Sequence, residues 1–273
     1  MKIEDFNLYD YKDAFQINED FEITTGEYQD LKYITVDNFF LYPEKITEIL
    51  KNIPINDRTK VIEEYKKSGV DIYENPSLVQ YLSSISFEPI SYIYYKILSE
   101  EDFIHHSYDP MTESEQLGAE LTQFVYYTNI FHPKMNHISH NYMPHFDKFQ
   151  YVSSVCLSET TEDTGISFYT LDHENESYQS IESIVNIDSL ETKSNIRDRL
   201  NSMHTPDYEV SEYYNSDHIE KNSLFKKYFT IPCEYNKLII YPGIFWHAAQ
   251  YNSEVNDNIR YTFNAGYTPT DNL

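Results

Sequence analysis

From about residue 118 onward the chain is cut into short apolar segments, and their length limits the possible folds more than any other feature. LTQFVYYTNIF, FQYVSSVCL, GISFYTL, KKYFTIPC, KLIIYPGIFW and RYTFNAGY follow one another, separated by clusters such as HPKMN, SETTEDTG and EYNK. Each segment is rich in β-branched and aromatic residues and is bounded by turn-forming ones, which is the pattern of a strand. Strands in such a series must bury their apolar faces against each other, so a β-sandwich or barrel is expected.

The first hundred residues are mixed. LKYITVDNFF (31–40) reads as a strand. Pro43 then opens a helix in which Ile46, Ile49, Leu50 and Ile53 recur at i, i+3, i+4, i+7. Pro89 opens another, with Ile90, Ile93, Tyr94, Ile97 and Leu98 at the same spacing. Residues 1–30 read as a polar lead-in without periodicity. Residues 172–222 form a long polar and charged interruption, within which DSLETKSNIRDRLNSM is expected to be a helix capped by Asp188 or Ser189. Neither a repeat nor a Pro/Ser-rich linker divides the sequence. The expectation is one domain over 1–273, mainly β with flanking helices (α+β). Residues 1–117 would be a mixed α/β flank, and 118–268 a β core carrying the insertion at 172–222.

Charge narrows the function classes. With 20 basic and 45 acidic residues, the formal net charge is −25. Such a surface repels phosphate backbones and anionic headgroups, so neither nucleic acid nor a membrane is expected as a partner. A basic peptide or protein would be attracted to it. The 27 tyrosines and 16 phenylalanines supply core, but no basic groove accompanies them as a nucleic-acid platform would require. Few glycines beside abundant Asn, Ile, Lys and Tyr suggest an AT-rich bacterial or viral genome. Two cysteines, Cys156 and Cys233, are too few for a disulfide framework or a thiolate zinc site, and Cys156 is expected to be a small buried hydrophobe. The opening MKIEDFNLYDYKD is acidic and lacks the apolar stretch of a signal peptide, and no run approaches the length of a spanning helix. A cytoplasmic protein is expected, in the host's cytoplasm if phage-encoded. Oligomeric state is not legible.

Chemistry concentrates in MPHFDKF (143–149). On a strand, His145 and Asp147 project to one side and Phe146 to the other. One imidazole and one carboxylate side by side are two of the three ligands of a two-histidine, one-carboxylate iron(II) site. Alone, H-x-D is common by chance and is more often an ordinary strand with two polar residues than a metal site. His247, past a Pro-Gly turn in KLIIYPGIFWHAAQY, is the candidate third ligand. Arg260 follows thirteen residues later (260 − 247) and shares a strand face with Thr262. A guanidinium beside a hydroxyl suits a carboxylate.

The ordered set of HFD, then His247, then Arg260 resembles the Fe(II)/2-oxoglutarate-dependent dioxygenases, in particular a prolyl-hydroxylase-like branch with bacterial and phage members of unassigned substrate. The flanks ITVDNFFLYPEKI, FQYVSSVCLSE, GISFYTL and YNKLIIYPGIFWHAAQY agree, so the likeness spans roughly 31–55 and 120–268. Residues 172–222 depart from it. The resemblance implies a double-stranded β-helix (jelly-roll) core. It implies that His145, Asp147 and His247 bind Fe(II), and that Arg260 binds the distal carboxylate of the co-substrate 2-oxoglutarate. Thr262 would assist, standing where related R-x-S patterns have serine. The implied reaction uses O₂ to hydroxylate a small-molecule or protein substrate while 2-oxoglutarate is decarboxylated to succinate. Tyr142, Phe168, Tyr169 and Trp246 would suit the pocket wall, and the 172–222 insertion would suit a lid.

Two other readings are open: a jelly-roll binding or structural protein, perhaps phage-encoded, with a retained but non-catalytic metal pocket, and a metal-dependent jelly-roll enzyme without 2-oxoglutarate. Arg260 has an obvious task only in the oxygenase. His137, His140 and His145 straddle an apparent loop, so they are not expected to form a second metal group. His105, His106 and His132 read as loop residues, and His173, His204 and His218 as solvated ones. No G-x-S-x-G elbow or phosphate-binding glycine loop supports a hydrolase or nucleotide enzyme.

Overall fold

The computed structural model describes residues 13–52, 77–82, 124–131, 144–147, 149, 151–158, 164–173, 176–203, 225–250 and 260–267. The protein is mainly β, with eleven strands and three helices among the described residues. In chain order they are β1 (Glu22–Tyr28), β2 (Leu31–Asp37), α1 (Pro43–Asn52), β3 (Ser77–Leu82), β4 (Phe124–Phe131), β5 (Tyr151–Cys156) and β6 (Gly165–His173). There follow β7 (Glu176–Tyr178), α2 (Ile181–Val185), α3 (Leu190–Met203), β8 (Phe225–Pro232), β9 (Leu238–Pro242), β10 (His247–Gln250) and β11 (Arg260–Tyr267).

The strands form two antiparallel sheets. The larger runs β1-β2-β9-β5-β11-β4-β3. In the smaller, β6 is central: β8 pairs along one edge, while β10 and β7 take successive stretches of the other. Side-chain alternation divides the apolar residues into three layers. Tyr151 and Val155 of β5, Leu238 and Ile240 of β9, and Phe263 of β11 pack on the outer face of the large sheet with Phe15, Phe39 and Phe40. Helix α1 joins that layer through Ile46 and Leu50, the residues its 3.6-residue period selects. Burial of two such side chains stabilises the contact by about 3–6 kcal/mol in transfer terms. Val152 and Cys156, Ile239 and Tyr241, and Ile166 and Phe168 meet between the sheets. On the far side of the small sheet, Tyr169, Leu171, Phe225 and Trp246 are covered by Ile184 of α2 and Ile196 of α3.

Two departures from the sequence reading have physical causes. Strand β1 lies within the supposed polar lead-in. It is an edge strand with most side chains exposed, so it carries no apolar period to read. It is held by seven paired residues of β2 and by Tyr28, whose ring stacks on Phe229 at 4.6 Å. The start of the supposed insertion is also built into the fold: β6 continues to His173, and α2 and α3 supply buried apolar residues to the small sheet. The helix expected in DSLETKSNIRDRLNSM is α3, and its cap is Ser189, whose Oγ accepts from Thr192 N at 3.2 Å. The expected Pro89 helix, His105, His106, His132, His137, His140, Tyr142, His204 and His218 lie outside the described residues. Among the described residues no helix is long and apolar enough to cross a membrane.

Asn236, in the turn between β8 and β9, ties three parts of the large sheet together. Its backbone is left-handed, φ 57°. Its N–H donates to Cys156 O at 2.7 Å and its carbonyl accepts from Phe39 N at 2.9 Å. Its side chain then acts as a second peptide group: Oδ1 accepts from Phe40 N at 2.9 Å and Nδ2 donates to Phe40 O at 2.8 Å. Asparagine alone combines tolerance of this conformation with both a donor and an acceptor at that reach. Asn236→Ala should therefore lower the unfolding free energy by about 2–4 kcal/mol, and Asn236→Gly by about 1 kcal/mol less, in urea denaturation. Equal stability of the three proteins would remove Asn236 from this role.

Candidate metal centre

His145, Asp147 and His247 come together although the carboxylate and the distal histidine are 100 residues apart. The cause is local pairing. His145 N donates to His247 O at 2.9 Å and His247 N to His145 O at 2.8 Å, the reciprocal pair of an antiparallel bridge. Residues opposite one another project to the same face, and the two imidazole centroids are 4.6 Å apart. Asp147, two residues on, shares that face and is anchored by its N–H to Gly243 O at 2.8 Å. One ligand atom from each of the three lies within 4.8 Å of the others.

Gly243 has a steric reason to be glycine. A Cβ there would stand 2.2 Å from Phe149 O and 3.2 Å from Asp147 Cβ. The turn at Pro242-Gly243 also ends β9 midway through KLIIYPGIFW, expected as one strand, and His247, just past that segment, opens β10 in the opposite sheet.

His247 is buried at 3 % exposure, whereas His145 and Asp147 are half-buried. Its ring is walled by Tyr241, with centroids 4.9 Å apart, and by Phe168 at 6.3 Å. Nδ1 lies 2.9 Å from Phe245 O. A carbonyl can only accept, so Nδ1 carries the hydrogen and Nε2 of the neutral ring presents a lone pair. That lone pair faces Asp147 Oδ2 at 3.1 Å. Two such atoms repel unless a second proton or a cation lies between them. The third donor, His145, is the part a simple ion pair does not need. Two ligands about 2.1 Å from a metal stand about 3.0 Å apart at right angles and about 3.4 Å apart at the tetrahedral angle, so the observed spacing fits a shared cation.

The other expected site residues divide. Thr262 is 1 % exposed, on the face of β11 turned toward the small sheet, and its Oγ1 accepts from Asn264 Nδ2 at 3.0 Å. Arg260 opens β11 opposite Phe131, two residues before Thr262 on the same strand. Among the expected wall residues, Phe168 lies beside His247. Tyr169 and Trp246 are instead on the far side of the small sheet, under α2 and α3. Alternation explains this correction for Trp246, which precedes His247 and must face away from it. Cys156 and Cys233 are both buried thiols. Tyr241 and Gly243 were missed from the sequence: one reads as strand core, the other as an ordinary turn. Asn264 was missed because a polar residue inside RYTFNAGY carries no motif.

No family model matches the chain, and no curated protein matches it significantly.

Trp246 is the sole tryptophan and the chain neighbour of His247, which makes its emission a reporter of the site. Titration with Co(II) should quench it saturably. His247→Ala should weaken the metal by about a hundredfold or more, and Gly243→Ala by about tenfold through displaced Phe149 and Asp147. Quenching unchanged in His247→Ala would rule out this centre.

Proposed function

We propose that the protein is an Fe(II)- and 2-oxoglutarate-dependent oxygenase that hydroxylates a small-molecule or protein substrate in the cytoplasm, on a single double-stranded β-helix domain. The observation that carries the reading is the convergence of His145, Asp147 and His247 within 4.8 Å. This donor set, two imidazoles and one carboxylate, suits non-haem Fe(II) and leaves the remaining positions for other ligands.

Strand order supports the jelly-roll core. From β4 onward the chain visits the large sheet (β4), the small sheet's edge through His145, the large (β5), the small (β6 and β8), the large (β9), the small (β10) and the large (β11). Winding back and forth between two facing sheets is how a double-stranded β-helix is built.

Each residue then has a task. His145, Asp147 and His247 would hold the metal, with Phe245 O fixing the His247 tautomer so that Nε2 is the ligand atom. Bound there with 2-oxoglutarate and O₂, Fe(II) supplies C–H hydroxylation coupled to the release of succinate and CO₂. Arg260 and Thr262 would hold the distal carboxylate of 2-oxoglutarate, the guanidinium by charge and the hydroxyl by one hydrogen bond. Tyr241, Phe168 and the apolar residues between the sheets keep water from the buried side of the site. The half-exposed His145 and Asp147 mark the side from which substrate approaches. With a formal net charge of −25, a basic peptide or protein is the favoured protein substrate.

Anaerobic addition of Fe(II) and then 2-oxoglutarate should give the weak visible charge-transfer band of the chelate. Arg260→Ala should weaken 2-oxoglutarate by about a hundredfold while leaving metal affinity intact. Metal uptake with no band in the wild type would refute the oxygenase and leave a non-catalytic metal pocket.

A further inference from the structure

Apart from His247, the small sheet turns apolar side chains toward the space between the sheets, with Ile166, Phe168 and Ile231 facing inward. The large sheet breaks that rule. Register places Thr262 opposite Cys156 and Asn264 opposite Ser154, and directly opposed residues share a face. Cys156 belongs to the inter-sheet layer, while Tyr261, Phe263 and Ala265 belong to the outer one. Thr262, Asn264 and Ser154 thus form a buried polar lane, at 1 %, 6 % and 5 % exposure, aimed into the interior. The face that carries them also carries Tyr241, whose ring is 4.9 Å from that of His247.

Buried hydroxyls and amides cost stability unless each finds a partner, and a purely structural sheet position would take valine or leucine here. The hydrogen bond within the lane has a direction. Asn264 Nδ2 donates to Thr262 Oγ1 at 3.0 Å. Among the described residues Thr262 Oγ1 makes no other hydrogen bond, so its own hydrogen is left to be donated.

We infer that Asn264 is a positioning residue, fixing the Thr262 hydroxyl as a donor toward a carboxylate held between the two sheets. The inference rests on the oxygenase reading and deepens it, adding a residue that makes the lane selective for an acceptor-only anion. A carboxylate oxygen accepts the Thr262 hydrogen. An ammonium group would meet that donor hydrogen head-on and is rejected. Asn264→Asp reverses the device: its carboxylate accepts the Thr262 hydrogen and removes it from the ligand.

The test is calorimetric titration of 2-oxoglutarate into Mn(II)-loaded protein, with metal affinity followed separately by Trp246 emission. Thr262→Val, which is isosteric, and Asn264→Asp should each weaken 2-oxoglutarate about tenfold or more, the size of one hydrogen bond to a charged group. The double variant should bind within about twofold of Thr262→Val, because Asn264 acts through the hydroxyl, and Thr262→Ser should stay within about twofold of the wild type. Metal affinity should not change in any of them. Asn264→Asp that binds like the wild type, or whose loss adds in full to that of Thr262→Val, overturns this inference and leaves the oxygenase standing. Loss of metal affinity in Asn264→Asp also overturns it, as general disruption. Thr262→Val with wild-type affinity does the same where the aspartate variant fails to fold. Metal-loaded wild type that binds no 2-oxoglutarate overturns both readings together.

Discussion

Two backbone hydrogen bonds between His145 and His247, 2.9 and 2.8 Å long, are the constraint on which the candidate centre depends. They fix the opposition of the histidines, and opposition fixes the face. Everything upstream serves to hold β10 still: four residues of β10 pair with β6, and β6 pairs with β8 along its other edge. The ligand set is thus carried by a sheet rather than by a loop, and the ring orientations follow from the ladder. The Phe245 carbonyl adds the last degree of order, because it sits in the same turn and selects which nitrogen of His247 is free.

The centre is graded from dry to wet. His247 lies in the apolar interior against Tyr241 and Phe168, while Asp147 keeps about a quarter of its side chain exposed. A charged ligand at the rim costs less to desolvate than one in the core, and the neutral imidazole is the group that tolerates full burial. The same economy explains the polar lane on the opposite sheet. Its three side chains are short, and its amide and one of its hydroxyls are joined by a hydrogen bond.

Much of this was legible in the sequence, and what was hidden has a common cause. Alternation revealed β2, β5, β6, β8 and β11 because each has one or two buried faces. The edge strand β1 stayed hidden because both its faces are largely wet. His145 and Asp147 announced a shared side through period-two spacing, but no spacing rule could place His247 opposite His145, since that depends on β10 pairing back across 102 residues (247 − 145). Gly243 looked like a turn residue; its second task, making room for Phe149 and Asp147, is a contact between distant segments. Tyr169 and Trp246 were assigned to the wrong side because aromatic character says nothing about facing. Tyr178, Ile184 and Ile196 were lost in the polar composition around them, where three buried residues are too sparse to set a period.

The pairing of β2 with β9 brings Ile34 against Ile240, and among the described strands β1 pairs with β2 alone. Pairing β2 with β9 closes a loop of some two hundred residues, an entropic cost that the local β1–β2 hairpin does not carry. The opposition that gathers His145, Asp147 and His247 cannot form before β10 is synthesised. Until then His145 and Asp147 stand without their third partner, while Phe168 of β6 and Tyr241 of β9, the rings that flank His247, are already made.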